Sequence, residues 1–161
     1  NVLGNPSKGF KQFLKTLTGG RITIGALALG TAQGAYQRAL TYSRERKAFG
    51  KEINQFQGIS FKIADMATSI QASKHLVYHA AYKKDQGEEV IKEAAMAKLS
   101  ASEMAMRVTT EAIQVLGGYG YIKDYNVERF FRDSKILEIG EGTSEIQRII
   151  ISREILNSFK S

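Results

Sequence analysis

Proline is almost absent from this chain, and this absence constrains the fold more than any other feature of the sequence. The single proline is Pro6, and none occurs in the 155 residues that follow it. Proline interrupts helices because it has no amide hydrogen and because its ring clashes with the preceding turn. The sequence after residue 6 therefore permits long uninterrupted helices, and 161 residues are enough for one hydrophobic core.

Three long segments place their apolar residues at helical spacing. The first covers about residues 17–46 and is apolar over most of its surface, which predicts a helix buried on several sides. The second follows Gly50 and ends before Gly87, which suits the left-handed position after a helix. The third has the spacing of three and four that is typical of a bundle seam. Its stripe comprises Val90, Ala94, Ala97, Ala101, Met104, Val108 and Val115.

The last part of the chain predicts two further helical segments, over about residues 126–135 and 143–156. Residues 1–10 are interpreted as an irregular lead-in. No strand pattern of useful length, internal repeat or low-complexity segment is present. The predicted fold is all-α, an antiparallel four-helix bundle with short elements between the helices.

The composition excludes several kinds of chemistry. The chain has no cysteine, which excludes disulfides, cysteine-bound zinc and thiol catalysis. Its longest uncharged stretch, residues 22–37, is shorter and more polar than a membrane span, so none is predicted. His75 and His79 lie four residues apart and share a helix face. Neither follows a glutamate by three residues, as a di-iron bundle would require, so no metal site is predicted.

The positive charge is concentrated in the first third of the chain. Residues 1–51 contain nine lysines and arginines and one acid, whereas the remainder contains fourteen basic and fifteen acidic residues. Such a local excess suits an anionic partner. Nucleic acid, a phosphate-bearing small molecule and a merely solvated face all fit the charge alone, although no nucleic-acid-binding motif is present.

Two glycine-containing segments are candidate sites. Residues 114–120 (QVLGGYG) indicate a helix end and a turn, where glycine also lets a ligand approach the backbone. Glu141 stands between Gly140 and Gly142 just before the last helix. A carboxylate there, close to backbone N–H groups, could act as a general base, and an exposed loop acid is the competing interpretation.

Five ordered motifs together resemble one family. They are residues 17–21 (LTGGR), residues 44–50 (RERKAFG) with Phe56 and Gln57, residues 114–120, residues 129–133 (RFFRD) and residues 141–148 (EGTSEIQR). In this order and spacing the chain is similar to the C-terminal helical domain of the acyl-CoA dehydrogenases, and most similar to the short-chain, butyryl-type members.

The resemblance implies an FAD-dependent enzyme that oxidises an acyl-CoA to the trans-2-enoyl-CoA. The matching general base is Glu141, which takes the α-proton while the β-hydrogen leaves as a hydride to the flavin. Members of the family carry an N-terminal helical domain and a middle β domain before this bundle. Residues 1–16 would then be the lead-in from the β domain and residues 17–161 the bundle. The chain alone is expected to be inactive.

The resemblance also assigns ligand-contacting positions. Those that reach FAD held mainly by a neighbouring subunit are Arg46, Lys47, Ala48, Phe56, Gln57, Gln114, Val115, Leu116, Gly117 and Gly118. Those that contact FAD within the same subunit are Thr143, Ser144 and Glu145. The substrate-contacting positions are Gly19, Gly20, Arg21 and Gly142. The arginines among them suit the pyrophosphates of FAD and coenzyme A.

The implied partners are an acyl-CoA substrate, electron-transferring flavoprotein as acceptor and further copies of the chain in a homodimer or homotetramer. The implied location is the cytoplasm of a bacterium or the mitochondrial matrix of a eukaryote. A non-catalytic helical interaction module with the same fold is the main alternative, and it predicts a protein without flavin absorbance. Nucleic-acid binding ranks below both, and it predicts strongly salt-dependent retention on DNA.

Overall fold

The computed structural model of the chain describes residues 4–159 and is built almost entirely of helices. A short 3-10 turn, Pro6–Lys8, leads into the first helix. The α-helices are α1 (Gly9–Glu45), α2 (Gln57–Asp85), α3 (Ile91–Leu116), α4 (Gly118–Tyr121), α5 (Val127–Ile139) and α6 (Ser144–Ser158). Further 3-10 turns, Ile53–Gln55 and Lys123–Tyr125, precede α2 and α5.

Helix α3 is the centre of the bundle. It packs against α1, α2, α5 and α6, and all seven residues of the predicted seam are buried. Alanine predominates among its buried residues, so neighbouring helices can approach closely. At Gly25 of α1, an added Cβ would lie 3.4 Å from the backbone oxygen of Ala97. The small residues on both helices therefore bring α1 and α3 into close contact.

The bundle consists of α1, α2, α3 and α5, and α6 packs on α3. The C-terminal ends of α1 and α3 lie together at one end of the molecule, and their N-terminal halves lie together at the other. Helices α2 and α5 connect these ends in the opposite direction. This arrangement confirms the predicted all-α antiparallel four-helix bundle. Gly87, at φ +80°, occupies the left-handed position predicted after α2.

The first helix begins earlier than the sequence pattern indicated. It starts at Gly9, whereas the apolar pattern predicted a start near residue 17. Phe10, Phe13 and Leu14 are exposed, so this first part of the helix has no buried stripe that could mark it in the sequence. The boundary between a lead-in and a bundle domain at residue 16 stays a prediction, and residues 1–3 lie outside the described part.

A small hairpin joins α1 to α2, which the sequence pattern did not predict. Strand β1 (Lys47–Ala48) pairs antiparallel with β2 (Lys51–Glu52), with Lys47 opposite Glu52 and Ala48 opposite Lys51. The two residues of the turn, Phe49 and Gly50, have φ of +50° and +81°. Positive φ at both positions is typical of the turns that connect two-residue hairpins. Two-residue strands are too short to show an alternating pattern in the sequence.

Among the helices of residues 4–159, none combines the length and the apolar character that crossing a membrane requires.

Candidate active site

Glu141 lies in the tight turn between α5 and α6. Its φ of +58° is unusual for a residue with a side chain, and the next residue, Gly142, has φ +97°. An added Cβ on Gly142 would also lie 3.0 Å from Nε2 of Gln147. Thr143 then caps α6, since its Oγ1 accepts a hydrogen bond from the amide of Ile146 at 3.4 Å. Glycine at position 142 is thus required by both conformation and space.

The carboxylate of Glu141 lies against α1. An added Cβ on Gly20 would be 2.7 Å from Glu141 Oε2, so only glycine leaves the carboxylate in this place. Within residues 4–159, neither Oε2 of Glu141 nor Nε of Arg21 has a hydrogen-bond partner, although both atoms are buried. Burial lowers the pKa of Arg21, the nearby charge of Glu141 opposes that shift, and Arg153 adds to it. A buried carboxylate oxygen without a donor is available to accept a proton.

A groove of about 880 Å³ leads to this carboxylate, and we call it the carboxylate groove. Its walls come from the first 3-10 turn with the N-terminal half of α1, the end of α2 and the start of α3 with the segment between them, the α5–α6 turn and α6. Predicted substrate positions Gly19, Arg21 and Gly142 line it together with Glu141. Its other basic lining residues are Lys8, Lys11, Lys15, Lys84 and Arg153, against the acids Glu88 and Glu89. The groove is therefore suited to an anionic ligand.

Two buried polar side chains near Glu141 were not identified from the sequence. Lys98 of α3 donates to the backbone oxygens of Glu138 and Gly142 at 2.9 and 2.8 Å. Gln147 of α6 donates to the backbone oxygens of Glu141 and Gly142 at 3.2 and 2.9 Å. Both side chains are 0% exposed. The sequence could have marked Lys98 as unusual, because it is a lysine on the alanine-rich face of a helix that is predicted to be buried.

A second groove, of about 620 Å³, lies at the opposite end of the bundle, and we call it the aromatic groove. Eight of the predicted flavin positions line it: Arg46, Ala48, Phe56, Gln114, Val115, Leu116, Gly117 and Gly118. Tyr42, Phe49 and Tyr119, which the sequence reasoning did not assign, also line it. Phe49 could have been found, since it belongs to the motif of residues 44–50.

Ring faces and open backbone dominate the aromatic groove. The rings of Tyr42 and Tyr119 are 6.3 Å apart, and Cζ of Arg46 is 5.6 Å from the centre of the Tyr119 ring. Burial raises the pKa of Tyr42, and the charge of Arg46 partly opposes the shift. Gly117, at φ +60°, ends α3 as predicted, and an added Cβ on it or on Gly118 would meet no atom within 4 Å. A planar ligand could therefore stack on rings and contact backbone here.

The remaining predicted positions lie elsewhere. Lys47 and Gln57 are exposed and do not line the aromatic groove. Thr143, Ser144 and Glu145 form the beginning of α6, near the carboxylate groove. In the described part, Oγ of Ser144 is buried and has no hydrogen-bond partner, so it could bind a polar ligand atom. The flavin positions are thus divided between the two ends of the bundle.

No cluster of three or more His, Cys, Asp or Glu side chains in residues 4–159 could hold a metal ion. His75 and His79 are exposed on α2, and a ring nitrogen of His75 lies 3.0 Å from the amide nitrogen of Gln71.

Known proteins share both this sequence and this fold. Residues 7–156 match the family described as "Acyl-CoA dehydrogenase, C-terminal domain". The chain is 58% identical over 97% of its length to a probable acyl-CoA dehydrogenase of Bacillus subtilis, of which it covers 41%. It matches the butyryl-CoA dehydrogenase structure of Megasphaera elsdenii with a TM-score of 0.96 and 51% identity, covering 97% of this chain and 41% of that one.

Another structure is equally similar. It comes from work described as "Electron transferring flavoprotein of Acidaminococcus fermentans: Towards a mechanism of flavin-based electron bifurcation". The TM-score is 0.96 at 51% identity, over 97% of this chain and 41% of that one. The chain thus spans about two fifths of the length of the relatives that it matches.

Proposed function

The chain belongs to the acyl-CoA dehydrogenase family, as its C-terminal domain, and we propose that it supplies the general base of an FAD-dependent enzyme. That enzyme would oxidise an acyl-CoA thioester to the trans-2-enoyl-CoA. The observation that carries the proposal is the carboxylate of Glu141, which faces the carboxylate groove with one buried oxygen that accepts no hydrogen bond within residues 4–159.

Glu141 removes a proton from the α-carbon of the thioester. Its carboxylate forms the new O–H bond, and the electrons of the α C–H bond become part of the new α–β double bond. The β-hydrogen leaves with its electron pair as a hydride. Bound FAD supplies the acceptor for that hydride. The backbone N–H of Glu141 donates to the thioester oxygen, where negative charge develops as the proton departs.

The basic rim of the carboxylate groove supports a coenzyme A thioester as substrate. Coenzyme A carries several phosphates, and side-chain cations next to phosphate form strong charge-assisted hydrogen bonds. Lys8 ends the 3-10 turn before α1, Lys11 and Lys15 lie in the first turns of that helix, and Lys84 and Arg153 lie on other walls of the groove. This placement accounts for part of the charge excess in the first third of the chain.

The aromatic groove fits a flavin dinucleotide. Its rings can stack on a planar ligand, its glycine backbone can be approached closely, and Arg46 can bind a phosphate. The helix between Arg21 and Arg46 is roughly 37 Å long at about 1.5 Å per residue, so one chain does not bring both grooves to one reaction centre. We propose that the aromatic groove serves the FAD of a second copy, in a homodimer or homotetramer.

Electron-transferring flavoprotein is the proposed acceptor of the electrons. The support is the similarity to the chain solved in the work on the flavoprotein of Acidaminococcus fermentans.

The test replaces the base in the complete protein that carries this chain. Glu141→Gln keeps the size of the side chain but cannot take up the proton, so dehydrogenation of butyryl-CoA should fall about 100- to 10,000-fold. The FAD absorbance of the purified protein should not change. Glu111→Gln, in α3 and outside the lining of both grooves, is the matched control and should keep the parent rate. A Glu141→Gln rate close to that of the control would contradict the proposal, and a parent protein without flavin would favour the non-catalytic module.

A further inference from the structure

Lys98 bridges the two sides of the turn that carries Glu141. Its ammonium donates to the oxygen of Glu138, in the last turn of α5, and to the oxygen of Gly142, just after Glu141. The last carbonyls of a helix have no partner within the helix, and they form its negative end. A cation that is 0% exposed at this position therefore satisfies two oxygens and compensates the helix dipole.

Gln147 holds the same turn from the other side. Its Nε2 donates to the backbone oxygens of Glu141 and Gly142, so the backbone oxygen of Gly142 accepts from both Lys98 and Gln147. Three helices thus fix the turn: α3 through Lys98, α6 through Gln147, and α5 through its own C-terminal end.

The turn needs such fixing because its backbone is not in a relaxed conformation. A residue with a side chain in the left-handed region is unfavourable, and it persists when the surroundings impose it. Glu141 has φ +58° and Gly142 has φ +97°. Rotation of this turn toward an ordinary conformation would move the carboxylate of Glu141 away from Gly20 and from the groove. The hydrogen bonds from Lys98 and Gln147 oppose that rotation.

We propose that Lys98 and Gln147 are positioning residues for the base, which hold the Glu141–Gly142 backbone so that the carboxylate faces the α-carbon of the substrate. The inference rests on the proposed role of Glu141. Neither side chain needs to touch substrate or flavin. Burial lowers the pKa of Lys98, and the charged groups around it are Glu138, Arg21, Glu103 and Glu145.

The experiment uses the complete flavoprotein and separates positioning from folding. Lys98→Met removes both hydrogen bonds of the ammonium and keeps the length of the side chain. Displacement of a catalytic group by about 1 Å can cost about 100-fold in rate, so kcat per bound FAD should fall by about that factor. KM for butyryl-CoA should stay within about threefold, since the groove that binds the substrate is unchanged. Lys92→Met, on the same helix and outside both grooves, is the matched control.

A second variant tests the other donor. Gln147→Leu removes the amide and leaves Lys98 in place on Gly142, so kcat should fall less, by about tenfold. In the double variant the loss should differ from the product of the two single losses, because both donors act on the oxygen of Gly142. Should Lys98→Met lose its FAD, Gln147→Leu alone decides the test.

The rate at which the substrate α-proton exchanges with D₂O is an independent measure of proton abstraction by Glu141. In both variants this rate should fall in parallel with kcat. If both variants lose thermal stability but keep the parent kcat per FAD and the parent exchange rate, the two residues are structural and the inference is wrong. If instead Glu141→Gln keeps its exchange rate, the proposed function itself fails. The two failures are therefore distinguishable.

Discussion

At the carboxylate groove, buried donors fix the backbone around Glu141, the proposed base, whereas the aromatic groove at the other end presents ring faces and open glycine backbone. Lys98 and Gln147 are fully buried beside Glu141, while Phe49 at the aromatic groove is 96% exposed. The first end is therefore organised by the chain itself. The second end leaves its rings and its glycine backbone open, as the proposed binding of FAD requires. One small domain can thus hold the backbone of the proposed base in place at one end of its helices and offer an open surface at the other.

The largest expected effect is a difference in the free energy of unfolding between two glycine-to-alanine variants, one at each end of the bundle. At Gly120, an added Cβ would lie 2.5 Å from the backbone oxygen of Ile113, which belongs to α3 and cannot move alone. Gly120→Ala should therefore lower the free energy of unfolding by about 3 kcal/mol. At Gly20 the obstacle is the end of the Glu141 side chain, which can rotate away, so Gly20→Ala should change that free energy by less than about 1 kcal/mol.

Urea denaturation of Gly120→Ala and Gly20→Ala measures this difference. Gly118→Ala is the control near Gly120. A Cβ on Gly118 meets no atom within 4 Å, so this variant should unfold like the parent. Equal losses at Gly120 and Gly20 would mean that the carboxylate of Glu141 is held as firmly as the helix backbone. The side chain of Glu141 would then be unable to rotate away from the added Cβ, contrary to the expectation for Gly20.

The helices and the core could be predicted from the sequence, because periodicity reports directly which faces are buried. The seam from Val90 to Val115 is the clearest case, and all its members are buried. The start of α1 was predicted about eight residues late, because its first turns expose their apolar residues. Burial patterns mark only the part of a helix that packs against something else.

The candidate site was predictable only in part. The position of Glu141 between two glycines suggested a base, and the glycine loop at Gly117 suggested a place for a ligand. The position of Lys98 on an alanine-rich helix face could have marked it as buried, but its partners could not be predicted, because they are backbone oxygens 40 and 44 residues further along the chain. The division of the flavin positions between the two ends of the bundle also depends on helix length and direction, which motifs do not show.

Arg46 and Lys47 test whether the aromatic groove determines which cation binds FAD. They are neighbours in the sequence and both match flavin-contacting positions, yet only Arg46 lines the groove. In the complete protein, Arg46→Met should weaken FAD binding by about tenfold, the value of one charge-assisted hydrogen bond. Lys47→Met should change it by less than about threefold. Fluorescence titration of the apoprotein with FAD measures both, and equal effects would show that the groove does not determine which cation binds FAD.

The smallest expected effects are changes in melting temperature when the ion pairs at the two ends of α5 are removed. The hydrogen bond from Arg132, 2.6 Å away, lowers the pKa of Glu128 below its ordinary value of 4.5. That pair stabilises the fold above pH 4.5 and is lost as the pH falls through the lowered pKa. At the other end, the hydrogen bond to Glu138 raises the pKa of Lys135 above 10.5. That pair stabilises the fold below pH 10.5 and is lost as the pH rises through the raised pKa.

Each pair should therefore be detected at a different limit of the pH scale. Glu128→Gln should flatten the acid side of a plot of melting temperature against pH and leave the alkaline side unchanged, and Lys135→Met should do the reverse. Both changes should be small, because exposed ion pairs contribute little and are screened by salt. A change on the same side in both variants would contradict the assignment. It would mean that the two ends of α5 titrate as one unit, and the electrostatic independence of the two ends would be lost.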